Sequence, residues 1–141
     1  MWCFGPESFP EIPRWITQHP NLDTATLRDL YNRTSIFVIS SEVEGLGLSG
    51  LEAMACGAAL VSTRNGGVDA YADSRSALLC APRQPAMLTS ALRLLLDDDE
   101  QRWQLAATGA VRAACFTWSA TADAFEAFLV RHAHPPIGVS Q

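Results

Sequence analysis

The chain has 141 residues (15.3 kDa), 48% of them hydrophobic and 18% charged, which suits one domain with a packed core and excludes a wholly disordered chain. Ten Lys+Arg stand against fifteen Asp+Glu for a net charge of -5, so the basic face that a nucleic-acid binder needs is not supplied. No basic n-region leads into an apolar stretch at the start, and no uncharged apolar run reaches the ~18–20 residues of a membrane span; the longest candidate, residues 45–63, is broken by Glu52.

Apolar and β-branched runs alternate with segments of helical period, the pattern of a parallel α/β sheet with helices on both faces. Residues 2–4 read as a short strand. Residues 5–20 carry Pro6, Pro10, Pro13 and Pro20 and read as an irregular loop with a strand at 15–18. Asp23 suits the N-cap of a helix whose apolar face is Leu27, Leu30 and Tyr31. Ile36-Phe37-Val38-Ile39 is a continuous apolar run, as expected of a central strand covered on both faces. A loop over 40–47 leads into a helix that runs through Ala55 and is ended by Gly57. A strand at 58–62, a turn at Asn65-Gly66-Gly67, a short helix near 68–71 and a last strand at 77–80 complete the sheet.

The remainder reads as three helices. Their stripes are Leu88, Ala91, Leu92, Leu95; then Trp103, Ala106, Ala107, Ala110, Val111, Ala114; then Thr121, Ala124, Phe125, Phe128, Leu129. Residues 132–141 read as a disordered tail, which leaves 1–131 as the folded part. A doubly wound domain opens with a full strand–helix unit, whereas this sequence opens inside a strand; the chain is expected to be part of a longer protein. Cys3, Cys56, Cys80 and Cys115 form no C-x-x-C pair and have no His at metal-ligand spacing, so they read as reduced, mostly buried thiols of a cytoplasmic protein.

The chemistry concentrates in Ser41-Glu42-Val43-Glu44-Gly45-Leu46-Gly47-Leu48-Ser49-Gly50-Leu51-Glu52. This segment lies between a buried strand and a helix, at the carboxyl edge of the sheet where open α/β folds bind ligands. Gly45 and Gly47 let the backbone approach a ligand and leave amides unobstructed at a helix N-terminus, which attracts phosphate. Glu44 and Glu52 flank that cradle. Carboxylates repel phosphate, so their task is to accept hydrogen bonds from hydroxyls, such as vicinal diols. Diphosphate with diols on both sides describes a sugar nucleotide.

Glu44 and Glu52 have seven residues between them. The line Ser41-x-x-Glu44-Gly45-x-Gly47-Leu48-x-x-Leu51-Glu52-Ala53-Met54-Ala55-x-Gly57 resembles the retaining glycosyltransferases of the GT-B fold, a group that includes sucrose synthase and many polysaccharide glycosyltransferases. Leu30-Tyr31, Gly66-Gly67 and Phe116-Thr117-Trp118 extend the resemblance over nearly the whole chain. It implies the C-terminal, donor-binding half of a two-domain enzyme of polysaccharide or glycan assembly, lacking that domain's first strand–helix unit. In this family the acid matched by Glu52 binds the nucleotide ribose and the one matched by Glu44 lies at the transferred sugar. The amides of Gly45, Leu46, Gly47 and Leu48 approach the sugar and diphosphate, and Ser41 stands at the loop entrance. The resemblance implies no metal and no cofactor beyond the nucleotide-diphosphate sugar. It implies a glycan or lipid-linked acceptor held by an N-terminal domain, with homo-oligomers and peripheral membrane association as further options for the full enzyme. Three positions depart from the family pattern: Leu46 for an aromatic, and Ser40 and Ser49 for prolines. The family's basic Gly-Arg…Lys-Gly segment is not in this sequence, so the isolated chain is expected to transfer little or nothing.

Competing readings exist for several of these residues. Ser49-x-x-Glu52 has the spacing of a capping box, with Ser49 as N-cap and Glu52 reaching back. Gly45-x-Gly47-x-x-Gly50 matches a dinucleotide fingerprint, but without the acid ~20 residues on. Asp97-Asp98-Asp99 mimics a metal motif, yet Asp98 or Asp99 makes a good N-cap. Arg64 is either a phosphate partner or an ordinary surface arginine, and His132-x-His134 reads as idle. A reading of another class is a non-catalytic remnant or interaction module that self-associates through an exposed apolar face. The terminal helix of such domains crosses to the other lobe, so the Phe125/Phe128 stripe is expected to be exposed here or covered only in an oligomer.

Overall fold

The computed structural model describes residues 1–5 and 11–133. In chain order the elements are β1 (Trp2–Gly5), β2 (Thr17–Pro20), α1 (Thr24–Asn32), β3 (Ile36–Ile39), α2 (Leu48–Ala55) and β4 (Ala59–Thr63). A single 3-10 turn (Val68–Ala70), β5 (Ala77–Cys80), α3 (Pro85–Asp97), α4 (Asp99–Ala113) and α5 (Trp118–His132) follow. Strands β3, β4 and β5 form a parallel sheet in that order, while β1 and β2 form a separate parallel pair.

Strand β4 is the centre of the molecule, and all five of its residues are buried. Its alternating side chains divide the core in two. Leu60 joins Tyr31, Phe37, Met54, Val68 and Tyr71 on one face; Ala59 and Val61 meet Leu95 and Leu105 on the other. Helices therefore cover both faces, as the sequence pattern requires.

Local signals set the boundaries. Asp23 accepts from the Thr26 amide at 2.8 Å and caps α1. Asp98 accepts from the Gln101 amide at 2.9 Å and caps α4, so the aspartate run is a cap. Gly57, at φ +85, closes α2 in a Schellman motif: its amide donates to Met54 O and that of Ala58 donates to Ala53 O.

Several expectations are corrected. Strand β2 starts two residues later than 15–18, because the Ile16 amide turns back onto Pro13 O and the Thr17 amide pairs with Met1 O. Strand β3 is not covered on both faces: Phe37 and Ile39 are buried, but Val38 is 37% exposed. On α4 the inward face is Leu105, Gly109 and Ala113, while Trp103 and Val111 face water. Gly109 explains the rotation. A Cβ there would lie 3.3 Å from Ser76 O and 3.4 Å from Met54 Cε, so α4 presses its small-residue side against the core. Only Cys80 is buried among the cysteines, and burial pushes its thiol up; Cys115 is exposed. Helix α5 buries none of its residues, and the Phe125/Phe128 stripe is exposed, as expected. His132 closes α5 instead of beginning a tail; the rest of the expected tail, 134–141, lies outside the described residues, as do Pro6 and Pro10.

Candidate functional site

The chain runs outward in both directions from one line in the fold. From there β1 leads to β2 on one side, and β3 leads to β4 and β5 on the other. That is a topological switch point, and ligands bind beyond the carboxyl ends of the strands there. The segment after β3 occupies this edge.

Backbone and side-chain bonds fix the segment. Ser41 O accepts from the Thr63 hydroxyl at the end of β4. The Glu44 amide donates to Asn65 O at 2.9 Å. Gly67 lies so close to Leu46 that a Cβ would sit 2.7 Å from the Leu46 carbonyl carbon and oxygen, so only glycine fits. The loop after β4 thus holds the loop after β3 from beneath. Glu42, farther out, takes two bonds from Arg83, at 2.9 and 2.7 Å.

Gly47 begins α2 in the left-handed region at φ +75, where glycine is favoured. It makes no side-chain cap, and the first turn of α2 carries no acid. Among the described residues no side chain caps this N-terminus, and its open amides and dipole suit an anion. The capping box is therefore corrected: Ser49 lies inside the helix and Glu52 does not reach back. Instead the Tyr31 hydroxyl donates to Glu52 Oε2 at 3.2 Å.

Each of the two acids has a tyrosine near it, and only Glu52 is hydrogen-bonded to its own. The protein has two tyrosines, and each sits against one of them. Tyr31 is buried and donates to exposed Glu52. Burial first, then the charge of Glu52, holds its phenol well above the ordinary range. Tyr71 is fully buried, donates to Gly47 O at 3.0 Å, and is pushed up to about 12 by burial first and the charge of Glu44 second. Gly50 makes room for Tyr71: a Cβ there would also fall 2.7 Å from Ile39 Cδ1.

Ser41, Glu44 and Ser49 share one end of a groove of about 720 Å³. Glu52 does not line that groove; it lies one turn along α2, against α1. Gly45 and Leu46 are exposed on the outer loop, and Leu48 is 53% exposed at the helix start. Arg64 is paired with Asp69 at 2.5 Å, an ordinary surface pair. Among the described residues no three His, Cys, Asp or Glu gather as a metal site, and no helix is long and apolar enough to cross a membrane.

Sequence reasoning missed Tyr71 and Asn65. The only signal for Tyr71 was its rarity, since one tyrosine already lay in the motif's flank. Asn65 is 3% exposed; its Oδ1 accepts from the Val68 amide at 3.0 Å, and its Nδ2 is buried with no hydrogen-bond partner among the described residues. That leaves an NH2 group with two N–H donors to give at the junction of the two loops.

Comparison with known proteins places this geometry. The family model described as "Glycosyl transferases group 1" matches residues 12–112. The D-inositol 3-phosphate glycosyltransferase of Frankia alni is 44% identical over 93 residues, covering 65% of this chain and 23% of that protein. The enzyme of the same name from Corynebacterium efficiens is 36% identical over 129 residues, covering 84% and 30%. The chain thus spans about a quarter of the curated relatives it matches. Among solved structures, the C-terminal domain of a group 1 glycosyltransferase (LpcC) from Francisella tularensis superposes with a TM-score of 0.64 at 27% identity, covering 70% of this chain and 52% of that one. Sucrose-phosphate synthase from Thermosynechococcus elongatus gives 0.73 at 26% identity, covering 82% and 30%. The fold is that of a GT-B C-terminal domain.

Proposed function

This chain belongs to the group 1 glycosyltransferase family, and from that premise we propose that residues 41–52 bind the nucleotide-sugar donor of a retaining hexosyltransferase. The observation that carries the reading is the paired arrangement of acids and tyrosines around a helix start that no described side chain caps. The amides from Gly45 to Leu48 receive the diphosphate, whose charge the α2 dipole meets without a metal. Glu52, oriented by Tyr31, accepts from the ribose hydroxyls. Glu44 faces the transferred sugar and stabilises the positive charge that develops on it. Ser41 borders the same space.

The acceptor is held by polypeptide beyond the described residues, and the chain alone transfers little. The relatives' names favour a phosphorylated inositol over a polysaccharide end as acceptor. We place the reaction in the cytoplasm. The test is calorimetric titration with UDP-, GDP- and dTDP-sugars. One of them should bind, and Glu52→Ala should abolish that binding; no binding to any of them defeats the reading.

A second reading has its own support in α5. This helix exposes Trp118 (87%), Phe125 (61%) and Phe128 (55%), an apolar stripe fit for self-association. A non-catalytic module would give dimers by light scattering and no nucleotide-sugar binding.

A further inference from the structure

The loop after β5 holds a residue in a backbone conformation that its side chain disfavours. Arg83 has φ +59, in the left-handed region. Among the described residues Asn21, at φ +51, is the other non-glycine residue there, and asparagine tolerates a region that arginine rarely enters. The turn alone does not call for an arginine. Between β5 and α3 the chain reads Ala81-Pro82-Arg83-Gln84, and Pro85 opens α3. A glycine at position 83 would make the same turn without strain. What glycine lacks is the side chain, and this side chain has a destination. Arg83 Nε and Nη2 both donate to Glu42 Oε2, at 2.9 and 2.7 Å, from a place 41 residues away in sequence.

The arm that makes this contact is stiff at its base. Pro82 and Pro85 fix their own φ and press Ala81 and Gln84 toward extended backbone. The end of β5 is tied as well, since Cys80 O accepts from the Arg64 amide at 2.8 Å. A charged group on a short arm, anchored in regular structure at both ends, can set the place of what it holds. It holds the loop after β3. The other ties of that loop come from the loop after β4: the Thr63 hydroxyl on Ser41 O and the Asn65 carbonyl on the Glu44 amide. Glu42 lies between these two points, so Arg83 brings β5 into the support of the same segment, two residues before Glu44.

We propose that Arg83 is a positioning residue: by gripping Glu42 it holds the loop after β3 in the pose that presents Glu44 and the amides from Gly45 to Leu48. The consequence for a nucleotide sugar rests on the reading of residues 41–52 as its binding site; the consequence for the loop does not. Both side chains are exposed, so the grip has the strength of a surface ion pair, about two- to fivefold on an equilibrium. Charge alone predicts the opposite outcome in one variant. Removing the Glu42 carboxylate takes a negative charge from beside the diphosphate and frees a positive one, which should tighten binding. Removing a grip should weaken it, because the loop must then be ordered when the ligand arrives.

Two measurements on the full chain decide between these. Amide hydrogen exchange, with no nucleotide present, is read at Glu44, whose amide is bonded to Asn65 O, and at Asp98, whose amide is bonded to Leu94 O at the far end of α3. Glu42→Ala and Arg83→Gly should each speed exchange at Glu44 by about two- to fivefold and leave Asp98 unchanged. The denaturation midpoint of Arg83→Gly should not fall, since glycine relieves the left-handed residue; an arginine with only a structural role would lower it on removal. In calorimetry with the nucleotide sugar that the unsubstituted chain binds, both variants should weaken affinity by about two- to fivefold, and about 1 M salt should bring the three chains together. If the unsubstituted chain binds none, the donor-site reading fails, while exchange at Glu44 still tests the grip. The proposal is overturned if exchange at Glu44 is unchanged in either variant, if Glu42→Ala tightens binding, or if the midpoint of Arg83→Gly falls.

Discussion

Strands β3 and β4 are both short, apolar and parallel, and their surroundings differ. β4 is buried over its whole length between two strands and two helical layers, whereas among the described residues β3 has one partner strand and leaves Val38 at an open edge. The same composition thus serves a closed position and an open one. What separates them is which ladder groups are matched, a property of tertiary pairing that side-chain composition does not encode.

Substitution in the two strands should give the largest contrast. Leu60→Ala removes a fully buried side chain from β4 and should cost about 2–5 kcal/mol in chemical denaturation. Val38→Ala, at the open edge, should cost less than about 1 kcal/mol. Similar losses at both positions would mean that β3 is as enclosed in solution as β4.

The second contrast is between the loops. Gly67→Ala places a methyl against Leu46 backbone atoms, which cannot rotate away as a side-chain tip can. It should cost about 1–3 kcal/mol and displace the segment that carries Glu44, weakening nucleotide-sugar binding in calorimetry. Gly45→Ala, where a Cβ meets nothing within 4 Å, should leave stability nearly unchanged. Equal effects would break the argument that the loop after β4 supports the loop after β3.

The tyrosines give a pH signature. Tyr71 is raised from an ordinary phenol near 10 to about 12, so the folded chain keeps a proton that the unfolded chain gives up. Its contribution is complete below pH about 10 and is lost as pH rises toward about 12. Tyr31 shifts in the same direction and adds to the loss. The chain has no lysine and two tyrosines, so few other groups titrate there. Denaturation midpoints should fall through this window, and Tyr71→Phe should flatten the fall. A slope unchanged in that variant would separate Tyr71 from the effect.

Much of this was legible in the sequence because local chemistry decided it. Asp23 and Asp98 cap as side-chain acceptors placed before helical periods, and Gly57 stops α2 because it tolerates a left-handed residue. The loop carrying Glu44 and the helix carrying Glu52 are where the residue pattern puts them. The partners of those acids were not legible, since Tyr31 and Tyr71 come from 21 and 27 residues away and reach them only through packing. The competing capping-box reading of Ser49 fails for a related reason. The Ser-x-x-Glu spacing is local, but Gly47 starts the helix two residues earlier and the Tyr31 hydroxyl takes up Glu52. The α4 stripe failed because it followed the spacing of apolar residues alone and so passed over Gly109, whose close approach sets the inward face.

The smallest effect is expected at α5, which sharpens the comparison from the other side. Its fifteen residues carry five large apolar side chains, more than β4 has, yet none of its residues is buried. Burial, not composition, determines the contribution to stability, so deleting residues 118–141 should leave the denaturation midpoint nearly unchanged. The ring contact of Tyr71 with Phe116 lies outside the deletion and is kept. An isolated helix of this length is marginal in water, so the described helix needs support that its own chain does not give it. If deletion instead lowers the midpoint in a manner that depends on protein concentration, the apolar stripe is covered by a second copy, and α5 belongs with β4 among the buried elements. If the midpoint falls independently of concentration, α5 docks on its own chain, and the contrast between exposed stripe and closed core is lost.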